Sequence, residues 1–138
     1  HVLTEEKTVM NIAQARLMFQ GSDLRDKLAR YHGDNVDCAF WGWCDAWLDA
    51  DFRRWDITHW LPAITLPVLT VRGNDDAYNT PVHVERIAHG VSGKVTCVDL
   101  ADCGHAPHLE QGEKVVAAVT EFVGAVASAP SPVGQTEV

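Results

Sequence analysis

The chain has 138 residues, 46% of them hydrophobic, and a formal net charge of -8 at neutral pH; its length and composition suit a single globular domain able to bury a core. That charge, with no basic run anywhere, argues against nucleic acid or an anionic membrane surface as a partner, because Lys and Arg would have to supply the attraction. No apolar stretch approaches the roughly 20 residues needed to span a bilayer, and no signal-peptide pattern is present.

The chain opens on His1 without an initiator Met, as a processed, cut or partial protein would. Four cysteines, Cys38, Cys44, Cys97 and Cys103, are too few and too scattered for a disulfide scaffold. Free buried thiols in a reducing cytoplasm are the expectation. Three regions are predicted: a helical, Trp-rich segment over 1–60, alternating strands and helices over 61–128, and a polar, Pro-containing tail over 129–138, expected to be disordered.

In chain order, the first predicted helix runs from about Glu5 to Phe19, with Thr4 as N-cap and Met10, Ala13 and Leu17 on its apolar stripe. Ser22 is expected to cap a second, in which Leu24, Leu28 and Tyr31 fall at i, i+4, i+7 and Gly33 makes the C-terminal turn. A third begins near Asp34. It carries Val36, Phe40, Trp43 and Trp47 on one stripe and Trp41, Cys44 and Leu48 on another. A short helix that is apolar on so many sides needs cover from the core, another chain or a bound apolar substrate.

From residue 61 the periodicity changes. Leu66 to Arg72 is a short apolar run rich in β-branched residues, followed by the turn Gly73-Asn74-Asp75-Asp76 and a helix start with Thr80 as cap and Pro81 in the first turn. Lys94 to Leu100 is a second strand. Glu113 to Val126 is a last helix whose stripe of Val115, Val119, Phe122 and Val126 is predicted to be buried. Strand–helix–strand–helix at this spacing is a βαβ unit of a parallel sheet. Two parallel strands leave apolar faces and unpaired edges open to water, so the unit is expected to belong to a larger sheet.

The loops after the two strands carry Asp76 and Gly104-His105. Ligands of an open parallel sheet bind at the carboxyl ends of its strands. There a carboxylate can fix the tautomer of an imidazole and free its other nitrogen to act as a base.

The segment from Leu61 to Asp76, ending in Gly73-x-x-Asp76, resembles the acid strand of the α/β-hydrolase superfamily. Asp102-Cys-Gly-His-Ala-Pro-His-Leu-Glu110, followed by a helix ending near Phe122-Val123, is similar to that superfamily's Gly-His loop. Residues 1–60, with Arg30-Tyr31-His32 and Trp47-Leu48-Asp49, look like a helical cap inserted before the acid strand. The resemblance implies an α/β fold: the C-terminal portion of a hydrolase sheet (βαβα) preceded by a helical cap. It implies Asp76 as triad acid, with the adjacent Asp75 as rival, and His105 as base. It implies no cofactor, and hydrolysis of a small ester, amide, thioester or C–C bond by the complete protein. The departure is that no Gly-x-Ser-x-Gly nucleophile elbow occurs. The chain alone is therefore expected to be inactive, and to need a missing N-terminal half or self-association.

Two other readings come from the residues. Cys103, His105 and His108 form a Cys-x-His-x-x-His cluster with zinc-ligand chemistry but no fourth ligand; the plainer role for His108 is to line the pocket or pair with Glu110. The Trp-rich segment can instead dock a partner or an apolar ligand, and Thr136-Glu137-Val138 suits carboxylate capture by a PDZ-type groove.

Overall fold

The computed structural model describes residues 1–129; residues 130–138, which hold nearly all of the expected tail and the Thr136-Glu137-Val138 terminus, lie outside the described part. The protein is a mixed α/β molecule, mostly helical, with a two-stranded parallel sheet. Three helices come first: α1 (Glu6–Gly21), α2 (Leu24–His32) and α3 (Val36–Leu48). Short 3-10 turns over Gly33–Asn35, Phe52–Arg54 and Thr58–Ala63 lead onward to β1 (Val68–Gly73), α4 (Pro81–Gly90), β2 (Val95–Leu100), the single turn α5 (Pro107–Glu110) and α6 (Gly112–Ala127).

The helical region builds its own core. Ile12, Phe19, Val36, Phe40 and Cys44 are buried together, and the rings of Phe19 and Phe40 stack at 3.8 Å with Trp41 edge-on to both. This corrects the expected face of α1. Met10 and Leu17 are exposed, whereas Thr8, Ile12, Ala15 and Phe19 point inward. The helix carries two apolar stripes, and the one with Phe19 wins because a stacked aromatic pair buries more surface.

Several local expectations shift with it. Tyr31 is exposed rather than packed. α3 starts at Val36 after the 3-10 turn, and its buried line of Val36, Phe40 and Cys44 mixes the two predicted stripes. Gly33 does end α2, at φ 55°. Ser22 accepts the Leu24 N–H at 3.3 Å, although Asp23 holds the N-cap position. Thr4 does not cap α1; its hydroxyl donates to the Phe52 carbonyl, its N–H bonds Trp55, and Leu3 bridges Asp56. The start of the chain is thereby tied to residues 52–57.

In the second region, β1 and β2 pair in register from Val68 opposite Val95 to Gly73 opposite Leu100, with α4 as the crossover. Thr80 caps α4, accepting the Val82 N–H, and Pro81 occupies its first turn as predicted. α4 packs on β2 and the Thr58–Ala63 turn, where Val2, Leu61 and Val91 form a small second core with Val68, Val95 and Ile87. α6 packs against β1 and α5. Contrary to expectation it buries no residue: Val119 and Val126 are exposed, and Val115 and Phe122 are half-buried. All four cysteines are free, with Cys44 and Cys103 buried but Cys38 and Cys97 exposed. Among the described residues no helix is long and apolar enough to cross a membrane.

Candidate active site

The site lies where the two strand-end loops meet. The loop after β1 turns tightly, with the Asp76 N–H returning to the Gly73 carbonyl. The loop after β2 reverses through Asp102, whose φ of 53° places a non-glycine residue in the left-handed region. Gln111 Nε2 donates to the carbonyls of Ala101 and Asp102 and holds that reversal. The loops are joined by the Asn74 N–H to Leu100 O and the Asp75 N–H to Cys103 O, both 2.9 Å. Gly73 permits this approach, because a Cβ there would lie 2.2 Å from the main-chain oxygens of Cys103 and Gly104.

Across this junction His105 Nδ1 stands 3.0 Å from each Asp76 carboxylate oxygen. Asp76 is only 4% exposed. Its Oδ1 accepts the N–H groups of Tyr78 and Asn79, and its Oδ2 accepts the Asn79 side-chain amide. Burial pushes the Asp76 carboxyl upward, but these hydrogen bonds together with His105 outweigh it and hold the group below its ordinary value. An ionised carboxylate can only accept. His105 Nδ1 therefore carries a proton, and in the neutral ring Nε2 is the bare nitrogen. The His105 side chain is 54% exposed. Asp75, the rival acid, is exposed and contributes its main-chain N–H to the junction.

The partners that hold this geometry are less visible in the sequence. Glu110 brackets the histidine: its carboxylate accepts the N–H of Gly104 at 2.6 Å and of Ala106 at 3.0 Å, the residues on either side of His105. Those two amides hold the Glu110 carboxyl below its ordinary value. Glu110 is thus occupied by main chain rather than by His108, which is exposed.

On the other side, α1 grips the acid loop. Lys7 Nζ donates to the carbonyls of Asp76 and Asn79, Thr8 to Tyr78 O, and the Asn11 amide to Ala77 O. Four consecutive carbonyls are satisfied from one helix face. Little in the sequence marks this face, because Glu6, Gln14, Arg16 and Gln20 make the helix polar at other positions as well. Glu5, just before α1, accepts both the N–H and the hydroxyl of Thr80 at the start of α4, where a negative charge is favoured. It also lies 2.7 Å from Nε2 of the buried His83, off the N–H axis, so the contact is electrostatic rather than an aligned hydrogen bond.

The zinc reading finds no convergence. Cys103 is buried, its thiol pushed up by that burial, and His105 Nδ1 is committed to Asp76. Among the described residues no group of three His, Cys, Asp or Glu side chains converges as a metal site would require.

His105 opens onto a cavity of about 300 Å³ whose wall includes Ile12, Trp43, Trp47 and Tyr78. The Trp-rich face of α3 thus reaches the histidine. A comparison with models of known protein families and one with curated proteins each find no match.

Proposed function

We propose that this chain is the acid-and-base part of an α/β-hydrolase, residues 61–128 forming the C-terminal portion of its parallel sheet and residues 1–60 its helical cap. The observation that carries this reading is the buried Asp76 carboxylate facing His105 Nδ1 through both oxygens at 3.0 Å, on loops at the carboxyl edge of parallel strands. Asp76 fixes the tautomer. His105 Nε2 then takes the proton of a nucleophile as it attacks a carbonyl carbon, and returns it to the leaving group as the covalent intermediate forms. The same nitrogen next deprotonates the water that attacks the intermediate, and gives that proton to the nucleophile as the acid leaves.

The substrate class is a small ester, amide, thioester or C–C bond next to a carbonyl, and no cofactor takes part. The nucleophile, expected to be Ser, and the oxyanion donors come from a polypeptide segment beyond this sequence. The strands that pair the open sheet edges come from the same segment or from a second copy of the chain. Exposed free thiols at Cys38 and Cys97 suit a reducing compartment, so the proposed location is the cytoplasm.

The test is an assay of the isolated chain against a panel of activated esters, repeated after adding the N-terminal half of an α/β-hydrolase that carries the nucleophile elbow. The chain alone is expected to be silent. The combination is expected to turn over, and to lose about 1,000-fold or more when His105 is changed to Ala. Near-normal turnover by a folded His105→Ala variant would remove His105 from the mechanism. Activity of the isolated monomer that vanished with His105→Ala would place the nucleophile inside this sequence.

A further inference from the structure

The wall beside His105 says what kind of molecule fits there. Tyr78 lies edge-on to the His105 ring at 5.0 Å and to the Trp43 ring at 6.4 Å. Trp43 and Tyr78 line both the cavity at His105 and an adjoining one of about 360 Å³, closed mainly by Leu24, Leu28, Ala39 and Phe40 from α2 and α3. Among the described residues neither wall contains a Lys, Arg, Asp or Glu side chain; the ionisable side chains are three histidines and Tyr78. Each cavity is within the size range of small-molecule sites. A carboxylate or phosphate seated against these rings would lose water with no charged side chain in the wall to replace it, at a cost. Trp and Tyr instead combine an apolar ring with a single neutral donor.

We infer that the two adjoining cavities take a neutral carbonyl compound with an aromatic or branched apolar body, its carbonyl toward His105 and its body beyond the Trp43–Tyr78 pair. This rests on the reading of His105 as the reacting base, and names the substrate class for it. Another cavity, of about 620 Å³, is lined by Asp45, Asp49, Asp51 and Arg54 beside Phe52 and Trp55. It does not reach His105, and three carboxylates and a guanidinium stand in its wall.

Calorimetric titration of the full chain with 2-acetonaphthone, a neutral aryl ketone that is not hydrolysed, against 2-naphthoate, the same rings bearing a carboxylate, tests the inference. The ketone is expected to bind about tenfold or more tightly than the carboxylate. Leu28→Trp and Ala39→Phe, which fill the second cavity, are expected to weaken the ketone by about tenfold, while Asp51→Ala leaves it unchanged. Circular dichroism checks that the filled variants remain folded. If they do not, the indole N–H signals of the unsubstituted chain give the same answer, since Trp43 and Trp47 should shift on titration while Trp60 stays in place. Equal or tighter binding of the carboxylate, undiminished binding in folded filled variants, or unmoved Trp43 and Trp47 signals would overturn the inference. Binding is read without catalysis. Ketone selectivity with failed complementation would leave the cavity assignment standing and remove the hydrolase reading, and complementation without selectivity would do the reverse.

Discussion

In the helical region Phe19 and Phe40 stack inside a closed core with Ile12, Val36 and Cys44. In the sheet region α6 lies along β1 with Val116, Val119, Val123 and Val126 turned to solvent, Val116 by 65%. One region is held by apolar burial. The other has only a small apolar core at Val2, Leu61 and Val91, and its functional edge is ordered by main-chain donors: Asn74 and Asp75 across the loop junction, Gly104 and Ala106 to the Glu110 carboxylate. Asp76 and His105 therefore sit in a frame of polar contacts and not over a closed apolar core. The pair is assembled between Glu110 on one side and the Lys7, Thr8 and Asn11 face of α1 on the other. Because α1 packs on α3, the closed core of the helical region also supports the acid loop.

The largest effect expected from breaking this arrangement is chemical. In the complemented enzyme Asp76→Asn should lower kcat about 1,000-fold or more, since an amide no longer enforces the Nδ1–H tautomer. Asp75→Asn, at an exposed position, should stay within about threefold by steady-state kinetics. A worse defect from Asp75→Asn would move the acid by one residue.

Next is the contrast of cores. Urea unfolding of Phe40→Ala should show a loss of about 3–5 kcal/mol, from the missing ring and the cavity it leaves. Val119→Ala on the open face of α6 should stay within about 0.5 kcal/mol. Equal losses would mean that the α6 face is buried in solution, by a second copy or another segment.

Gly73→Ala should cost about 1–3 kcal/mol, because the main-chain oxygens of Cys103 and Gly104 cannot yield without breaking the loop junction. A neutral effect would show the junction to be loose.

The smallest effect is in the pH dependence. Burial pushes the His83 imidazole below its ordinary value against the upward pull of Glu5. The unfolded chain then binds the proton more readily than the folded one. The His83 contribution to stability is therefore complete above about pH 6.5 and is lost as pH falls through the lowered folded value. Urea midpoints should fall between pH 7 and pH 5, about 2 units of pH spanning that change, and His83→Gln should flatten the fall. A midpoint that rose on acidification would reverse the assigned direction.

What could be read from the residues followed local chemistry. Thr80-Pro81 announced α4, the β-branched runs announced both strands, and Gly73-x-x-Asp76 with Gly104-His105 announced the pair that meets at 3.0 Å. What failed required tertiary information. α1 has apolar residues on two faces, and only the position of Phe40 selects the one with Phe19. The stripe of α6 reads as buried because valines at helical spacing normally are, yet nothing in the described structure covers Val119 or Val126. Glu110, Lys7 and Asn11 act through main-chain partners, which have no residue signature, so their part in the site appeared only with the fold.

The most direct test of the acid–base pair is the tautomer of His105, read by nitrogen-15 NMR of the ring in its neutral form, with His105→Gln to assign the signals. Asp76 as an ionised acceptor requires the proton on Nδ1 and a bare Nε2, and Asp76→Asn should remove that preference. A neutral ring protonated on Nε2 in the unsubstituted chain would contradict the account, because the one bare nitrogen of His105 would then be Nδ1, which faces Asp76 and not a nucleophile.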